Sequence, residues 1–136
     1  MSTNALVAYK NGPDNYDAIS VRFDGYVEGV GRMLYFNWSE DAKIAKLCKI
    51  EKEIRELGED FDKTEFYPVT NWTLRYIHKF KGISQNDLEN QAGNFSYTYI
   101  YSNGTWWMLK NGELKNLDDN FLDERMKMED ESEEEE

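Results

Sequence analysis

Gly25, Gly29 and Gly31, close together in FDGYVEGVGRML (Phe23–Leu34), come nearest in this chain to a chemical motif by type and spacing. A strand-like run precedes them and a helix-like run follows. Glycine-rich backbone in that setting, at a helix N-terminus, can cradle a phosphate. The spacing G-x-x-x-G-x-G, however, matches neither the dinucleotide fingerprint nor the P-loop. Asp24 and Glu28 put negative charge where the anion would sit, and only Arg32 opposes them. Asp24, Gly25, Tyr26, Gly29 and Gly31 are therefore read as a structural turn, followed by a helix start lying close on a sheet.

Other reactive side chains offer less. His78 is the only histidine and falls in an alternating aromatic run, which suits a packed or edge histidine better than a general base. Cys48 lies on an apolar helical stripe and reads as a small buried hydrophobe. Being the only cysteine, it cannot form an internal disulfide, which fits a reducing compartment. The chain shows no metal-ligand spacing, and its carboxylates show no pairing beyond what an acidic surface supplies. The expectation is a non-enzymatic protein with no catalytic residue, cofactor or metal.

The elements that would position these groups follow from pattern. Asn4–Lys10 reads as a strand, Asn11–Asn15 as a turn, and Ala18–Asp24 as a half-buried strand that completes a hairpin. A helix is expected over about 26–37 and a second over about 40–57. The second is capped by Ser39, carries the stripe Ile44, Leu47, Cys48, Ile54, Leu57, and stops at Gly58. Trp72, Leu74, Tyr76, His78 and Phe80 alternate with Thr73, Arg75, Ile77 and Lys79, which favours a strand and leaves a helix as the alternative. Ser84 with Asp87 resembles a capping box and suggests a short helix to Gln91.

The clearest local signal is NFSYTYIY and TWWMLK around Ser102-Asn103-Gly104, a hairpin whose two central turn residues need positive φ. Its register pairs Tyr101 with Trp106, Ile100 with Trp107 and Tyr99 with Met108. One face then carries Phe95, Tyr97, Tyr99, Tyr101, Trp106 and Met108; a second Asn-Gly at 111–112 turns the chain again. The fold class expected is α+β, an antiparallel sheet of about five strands with both helices on one face. It forms a single domain over residues 1–118, with a polar, acidic, disordered tail over 119–136.

A chain of 136 residues with 40 % hydrophobic content suits one compact domain. No apolar run approaches the roughly 20 residues that span a bilayer, and MSTNALVAYK lacks a signal-peptide pattern. Those features predict a cytoplasmic protein with no membrane partner. The Asn-x-Ser/Thr matches at Asn37, Asn71, Asn94 and Asn103 then carry no glycosylation meaning. Net charge is −11, of which seven units come from the tail Glu129, Asp130, Glu131, Glu133, Glu134, Glu135 and Glu136, leaving −4 over the rest. Such a block is a solubility device or a contact for a basic partner.

Phe-Asp-Gly-Tyr-x-Glu-x-x-Gly-x-x-Leu (Phe23–Leu34), after a strand and before a helix carrying Lys and Leu, resembles a family of small, mostly uncharacterised proteins encoded by bacteriophages and prophages. Its members usually read His-Trp-Asp-Gly-Tyr-Pro-Glu-Gly-Val-Gly. Tyr97–Trp107, with Tyr-x-Tyr-x-Tyr, an Asn-Gly turn and Trp-Trp, is similar to that family's Tyr-x-Phe-x-x-Gly-x-Trp strand pair. The chain departs from the pattern at Arg22, Phe23 and Val27, where His, Trp and Pro are usual. The resemblance implies a phage setting and a bacterial host cytoplasm, and brings no catalytic residue.

The function expected is binding of a host or phage protein, to the point of inhibition, through an aromatic sheet patch of Tyr97, Tyr99, Tyr101 and Trp106. The acidic tail would face a basic surface on the partner. A homodimer would account for the same patch. Direct nucleic-acid binding is not expected, because a basic surface is missing. The alternative is a protein that sequesters a small molecule or nucleotide.

Overall fold

The computed structural model describes residues 3–110 and 112–117; the expected acidic tail, and the end of the expected domain, lie outside them. The elements in chain order are β1 (Ala5–Gly12), β2 (Asn15–Val21), a π-helical turn (Val27–Gly31) running into α1 (Arg32–Asn37), and α2 (Asp41–Lys49). There follow β3 (Ile54–Glu56), β4 (Glu65–Phe66), α3 (Asn71–His78), α4 (Gln85–Ala92), β5 (Tyr97–Ser102), β6 (Thr105–Lys110) and β7 (Glu113–Asn116).

Ala5, Leu6, Val7 and Ala8 are apolar without a break, and all four are buried. A strand apolar on both faces belongs in the middle of a sheet covered on both sides. β1 is indeed the central strand of seven, in the order β4-β3-β2-β1-β5-β6-β7. Ala5 and Val7 face a layer made by the π-helical turn, α1 and α2, with Val30, Leu34, Trp38, Ile44 and Leu47 at its heart. Leu6 and Ala8 face a smaller layer around Phe80, Leu88 and Ile100. The two helices expected on one face therefore share it, and a second layer that includes α4 covers the other.

The fold is α+β, but the sheet is mixed rather than antiparallel. β1 pairs antiparallel with β2 and parallel with β5 (Ala5 opposite Tyr97), and β2 meets β3 in parallel at Val21 and Ile54. The connection from β2 to β3 through α1 and α2 is the crossover that a parallel neighbour requires.

Two expected elements are corrected. The second helix ends at Lys49, with Ile50 extended, and Ile54 joins the sheet as β3 rather than continuing the helical stripe. It starts from Glu40, one residue beyond the expected cap at Ser39. The expected strand over Trp72–Phe80 is α3, because Thr70 and Thr73 close a reciprocal capping box. The Thr70 amide donates to Thr73 Oγ1 at 2.7 Å, and the Thr73 amide to Thr70 Oγ1 at 3.2 Å. The half-buried or buried residues there are Thr73, Leu74, Ile77 and Phe80, spaced for a helix rather than a strand.

Both hairpins form as expected. β5 and β6 pair Tyr101 with Trp106, Ile100 with Trp107 and Tyr99 with Met108, around a turn in which Asn103 (φ 53°) and Gly104 (φ 75°) are left-handed. The short helix after Ser84 is also present, with the Ser84 hydroxyl accepting from the Asp87 amide at 3.1 Å.

Candidate functional site

The residues expected to form a contact patch are core. Tyr99 is 0 % exposed, Tyr101 4 % and Trp106 4 %, and Tyr97 packs half-buried against the same cluster. Period-2 alternation sends them to the face that α1 and α2 cover, and their polar tips find partners there. The Tyr99 hydroxyl donates to the Gly25 carbonyl at 2.7 Å, the Tyr101 hydroxyl to the Ser39 carbonyl at 3.3 Å, and Trp106 Nε1 to the Trp38 carbonyl at 2.7 Å. The expectation that this face is exposed is therefore corrected.

The glycine stretch is the other half of that junction. A Cβ at Gly25 would lie 2.6 Å from the Asn4 carbonyl carbon, and one at Gly31 would lie 3.1 Å from the Tyr99 ring. A Cβ at Gly29 would meet the Asp24 carbonyl. Close approach, not positive φ, calls for glycine at these three places; the left-handed residue is Asp24, at φ 59°. The Asp24 carbonyl accepts from the Val30 amide at 2.8 Å, so the turn closes on its own backbone. Beside it opens a cleft of about 420 Å³ lined by Asp24, Glu28, Arg32, Glu56 and Glu59, a charge pattern hostile to phosphate.

Cys48 is fully buried, its thiol 3.6 Å from the Val7 carbonyl, and burial pushes its pKa up to about 12, far from a nucleophile. His78, placed on α3 rather than in a strand, is not packed: its Nε2 lies 3.2 Å from Glu51 with both side chains about half exposed. Lys81 was not singled out from the sequence. Its ammonium donates to the Ala18 carbonyl at 2.7 Å and to the Cys48 carbonyl, so it caps the C-terminal end of α2 from the opposite layer. Burial lowers its pKa to about 8, although Cys48, Asp17 and Glu51 act in the other direction. Among the described residues no group of three or more His, Cys, Asp or Glu side chains is placed to hold a metal ion, and no helix is long and apolar enough to cross a membrane.

The exposed aromatic surface lies instead on α3. Trp72 is 78 % exposed, Tyr76 39 % and the preceding Val69 40 %, and exposed Arg75 and Lys79 share the face at i, i+3, i+4 and i+7 from Trp72. The helix is held from beneath by Ile77 and by an edge-on contact between Tyr76 and Phe80, with ring centroids 5.0 Å apart. The Tyr76 phenol has its pKa raised by partial burial and then by Glu53, with Arg22 opposing. Residues 67–86 include Arg75, Lys79 and Lys81 and no Asp or Glu, in a chain of net charge −11. Reading 72–80 as a strand hid this face; the Thr-x-x-Thr spacing before the apolar pair Leu74 and Ile77 was the signal that could have found it.

Comparisons of the chain with protein-family models, with curated proteins and with solved structures find no match.

Proposed function

We propose that this is a non-enzymatic binding protein that engages, and at its strongest inhibits, a protein partner through the outer face of α3. The observation that supports it is the grouping of Trp72, Arg75 and Tyr76 on one side of a well-capped helix, with Trp72 78 % exposed. Trp, Arg and Tyr are the residue types that most often dominate binding energy at protein interfaces. The partner would offer an apolar recess for Trp72 and carboxylates opposite Arg75 and Lys79. The acidic residues 129–136 would add attraction to a basic region of the same partner, raising the association rate. A host or phage protein in a bacterial cytoplasm is the setting the sequence resemblance suggests. The same residue types could stack single-stranded nucleic acid, but a net charge of −11 works against phosphate.

The test is quantitative capture from bacterial lysate by the tagged full chain and by Trp72→Ala. The expected result is a discrete partner whose recovery falls at least about tenfold with the variant, at an unchanged melting temperature. Equal capture by the variant removes α3 from the interface.

A further inference from the structure

A cleft of about 310 Å³ opens between α4 and the β5–β6 hairpin, and one charged side chain of each sign lines it: Lys10 from β1 and Glu89 from α4. Among the described residues neither takes part in an ion pair, with the other or with a third group. Lys10 Nζ stands 6.0 Å from the Tyr16 ring centroid, at the outer limit of a cation–π contact. Glu89 accepts a long bond from Gln85 Nε2 at 3.4 Å. Both charges are open to a guest, since Glu89 is exposed and Lys10 half-buried. They also lie near one ring: burial, then Asp14, then Glu89 raise the pKa of the Tyr16 phenol, the same ring that Lys10 approaches. Asp14 itself is engaged, accepting from the Gln85 amide at 2.8 Å.

The rest of the accessible lining is apolar. Trp107 and Leu109 share one face of β6 and are half-buried, and Leu114, opposite Leu109 on β7, is 52 % exposed. Two residues advance about 7 Å along a strand and neighbouring strands lie about 5 Å apart, so these three side chains make a platform for one or two rings. Trp107 Nε1 donates to the Ser102 carbonyl at 3.4 Å, which engages the indole's one polar atom and leaves the ring as a stacking surface. Thr98, opposite Leu109 on β5, takes no part. Its hydroxyl is, among the described residues, the one buried side-chain oxygen or nitrogen without a hydrogen-bond partner, and at 1 % exposure it is beyond a guest's reach.

The two charges narrow the guest. A carboxylate alone would gain Lys10 and meet Glu89 as a like charge; an amine alone would gain Glu89 and meet Lys10. A molecule that carries both signs side by side, next to a flat apolar body, satisfies both and covers the platform. The volume lies at the small end of ligand pockets, which suits a guest of few atoms.

We propose that the cleft between α4 and β5–β6 binds a free aromatic α-amino acid as its zwitterion, the carboxylate on Lys10, the ammonium on Glu89 and the ring on Trp107, Leu109 and Leu114. Trp72 does not line this cleft, so Trp72→Ala leaves the site intact whether or not α3 binds a partner.

The experiment titrates the ¹⁵N-labelled full chain with L-tryptophan and L-phenylalanine. Each is set beside its analogue without the ammonium (indolepropionate, phenylpropionate) and its analogue without the carboxylate (tryptamine, phenethylamine). At least one amino acid is expected to shift the Trp107 indole N–H and the amides of Trp107, Leu109 and Leu114 together. It should bind at least about tenfold more tightly than either of its analogues, the worth of one charge-assisted hydrogen bond. Lys10→Met is expected to bring that amino acid down to the affinity of the amine and leave the amine no weaker. Glu89→Gln is expected to bring it down to the affinity of the carboxylate analogue and leave that analogue no weaker. Absence of the concerted shift, an analogue that binds as tightly as its amino acid, or a preference that survives both substitutions would each overturn the assignment.

Discussion

The hydroxyl of Tyr99, on β5, donates a 2.7 Å hydrogen bond to the carbonyl of Gly25, while a Cβ at Gly31 would stand 3.1 Å from the same ring. One tyrosine thus fills the space that Gly31 leaves and bonds the Gly25 carbonyl, and the two sequence features that looked separate form a single joint between sheet and helices. Tyr99→Phe leaves the Gly25 carbonyl without this donor in a dry environment and is expected to cost about 1–3 kcal/mol. Gly25→Ala, which forces a Cβ against the Asn4 backbone, is expected to cost at least about 1 kcal/mol. Urea unfolding measures both, and either variant at wild-type stability would contradict the joint.

Trp106 and Trp72 should behave as opposites. Trp106 is 4 % exposed and bonded to the Trp38 carbonyl, so Trp106→Ala is expected to lose about 3–5 kcal/mol of stability. Trp72→Ala removes a side chain that stands mostly in water and should stay within about 0.5 kcal/mol of wild type. Denaturant midpoints of the two variants decide between core and surface for each position.

The pH dependence of stability carries the signature of Lys81. Its folded pKa of about 8 lies below the ordinary 10.5, so between those values the unfolded chain holds a proton that the folded chain has released, and stability rises with pH. The neutral amine keeps two N–H groups, enough for the Ala18 and Cys48 carbonyls. Cys48 works in the opposite sense: raised to about 12 from 9.0, it keeps its proton when folded and loses it when unfolded, so stability falls above pH 9. The urea midpoint should therefore climb from pH 8 to pH 9 and level off above, and Lys81→Met should abolish the climb. A wild-type midpoint that falls between pH 8 and 9 would refute this account.

Truncation after Met128, which deletes all seven acids of the terminal block, is expected to leave the melting temperature nearly unchanged. Its effect should be on partner association, weakening it at low salt, where the Debye length is longer, and little at high salt. Surface plasmon resonance across a salt series reads this directly; identical rates at every ionic strength would make the block a solubility device.

Local chemistry accounts for what was legible in the sequence. Asn103-Gly104 dictates a left-handed pair, and from it the register of Tyr101, Ile100 and Tyr99 follows by counting. Distant partners decided where the second helix ends, whereas α3 is set by its own local Thr70–Thr73 cap. Residues Lys49–Ile54 keep a helical pattern, yet α2 stops at Lys49, where Lys81 reaches the Cys48 carbonyl and Ile54 meets Val21. Neither partner is visible within a sequence window. The parallel pairing of β1 with β5 is equally silent, because alternation reports which face a residue occupies and not which strand lies beside it. The tyrosine patch failed for a related reason: residues on one strand face are legible, but whether helices cover that face is not. Thr98 is the one threonine of β5 and in plain view in the sequence; its lack of a hydrogen-bond partner exists only in three dimensions.

The neighbour of β1 on one side, β5, lies far along the chain: the Ser96 amide reaches the Asn4 side chain across 92 residues. During synthesis at roughly 5–20 residues per second, β1 leaves the ribosome several seconds before β5 exists. Throughout that interval the β1–β2 hairpin carries an unpaired edge, with Leu6, Val7 and Ala8 still uncovered by the second half of the sheet. Edges of this kind recruit other chains as readily as their own. The strand at the centre of the finished fold is thus open to aggregation in the nascent chain until β5 arrives, and the 92-residue separation makes its burial a late event.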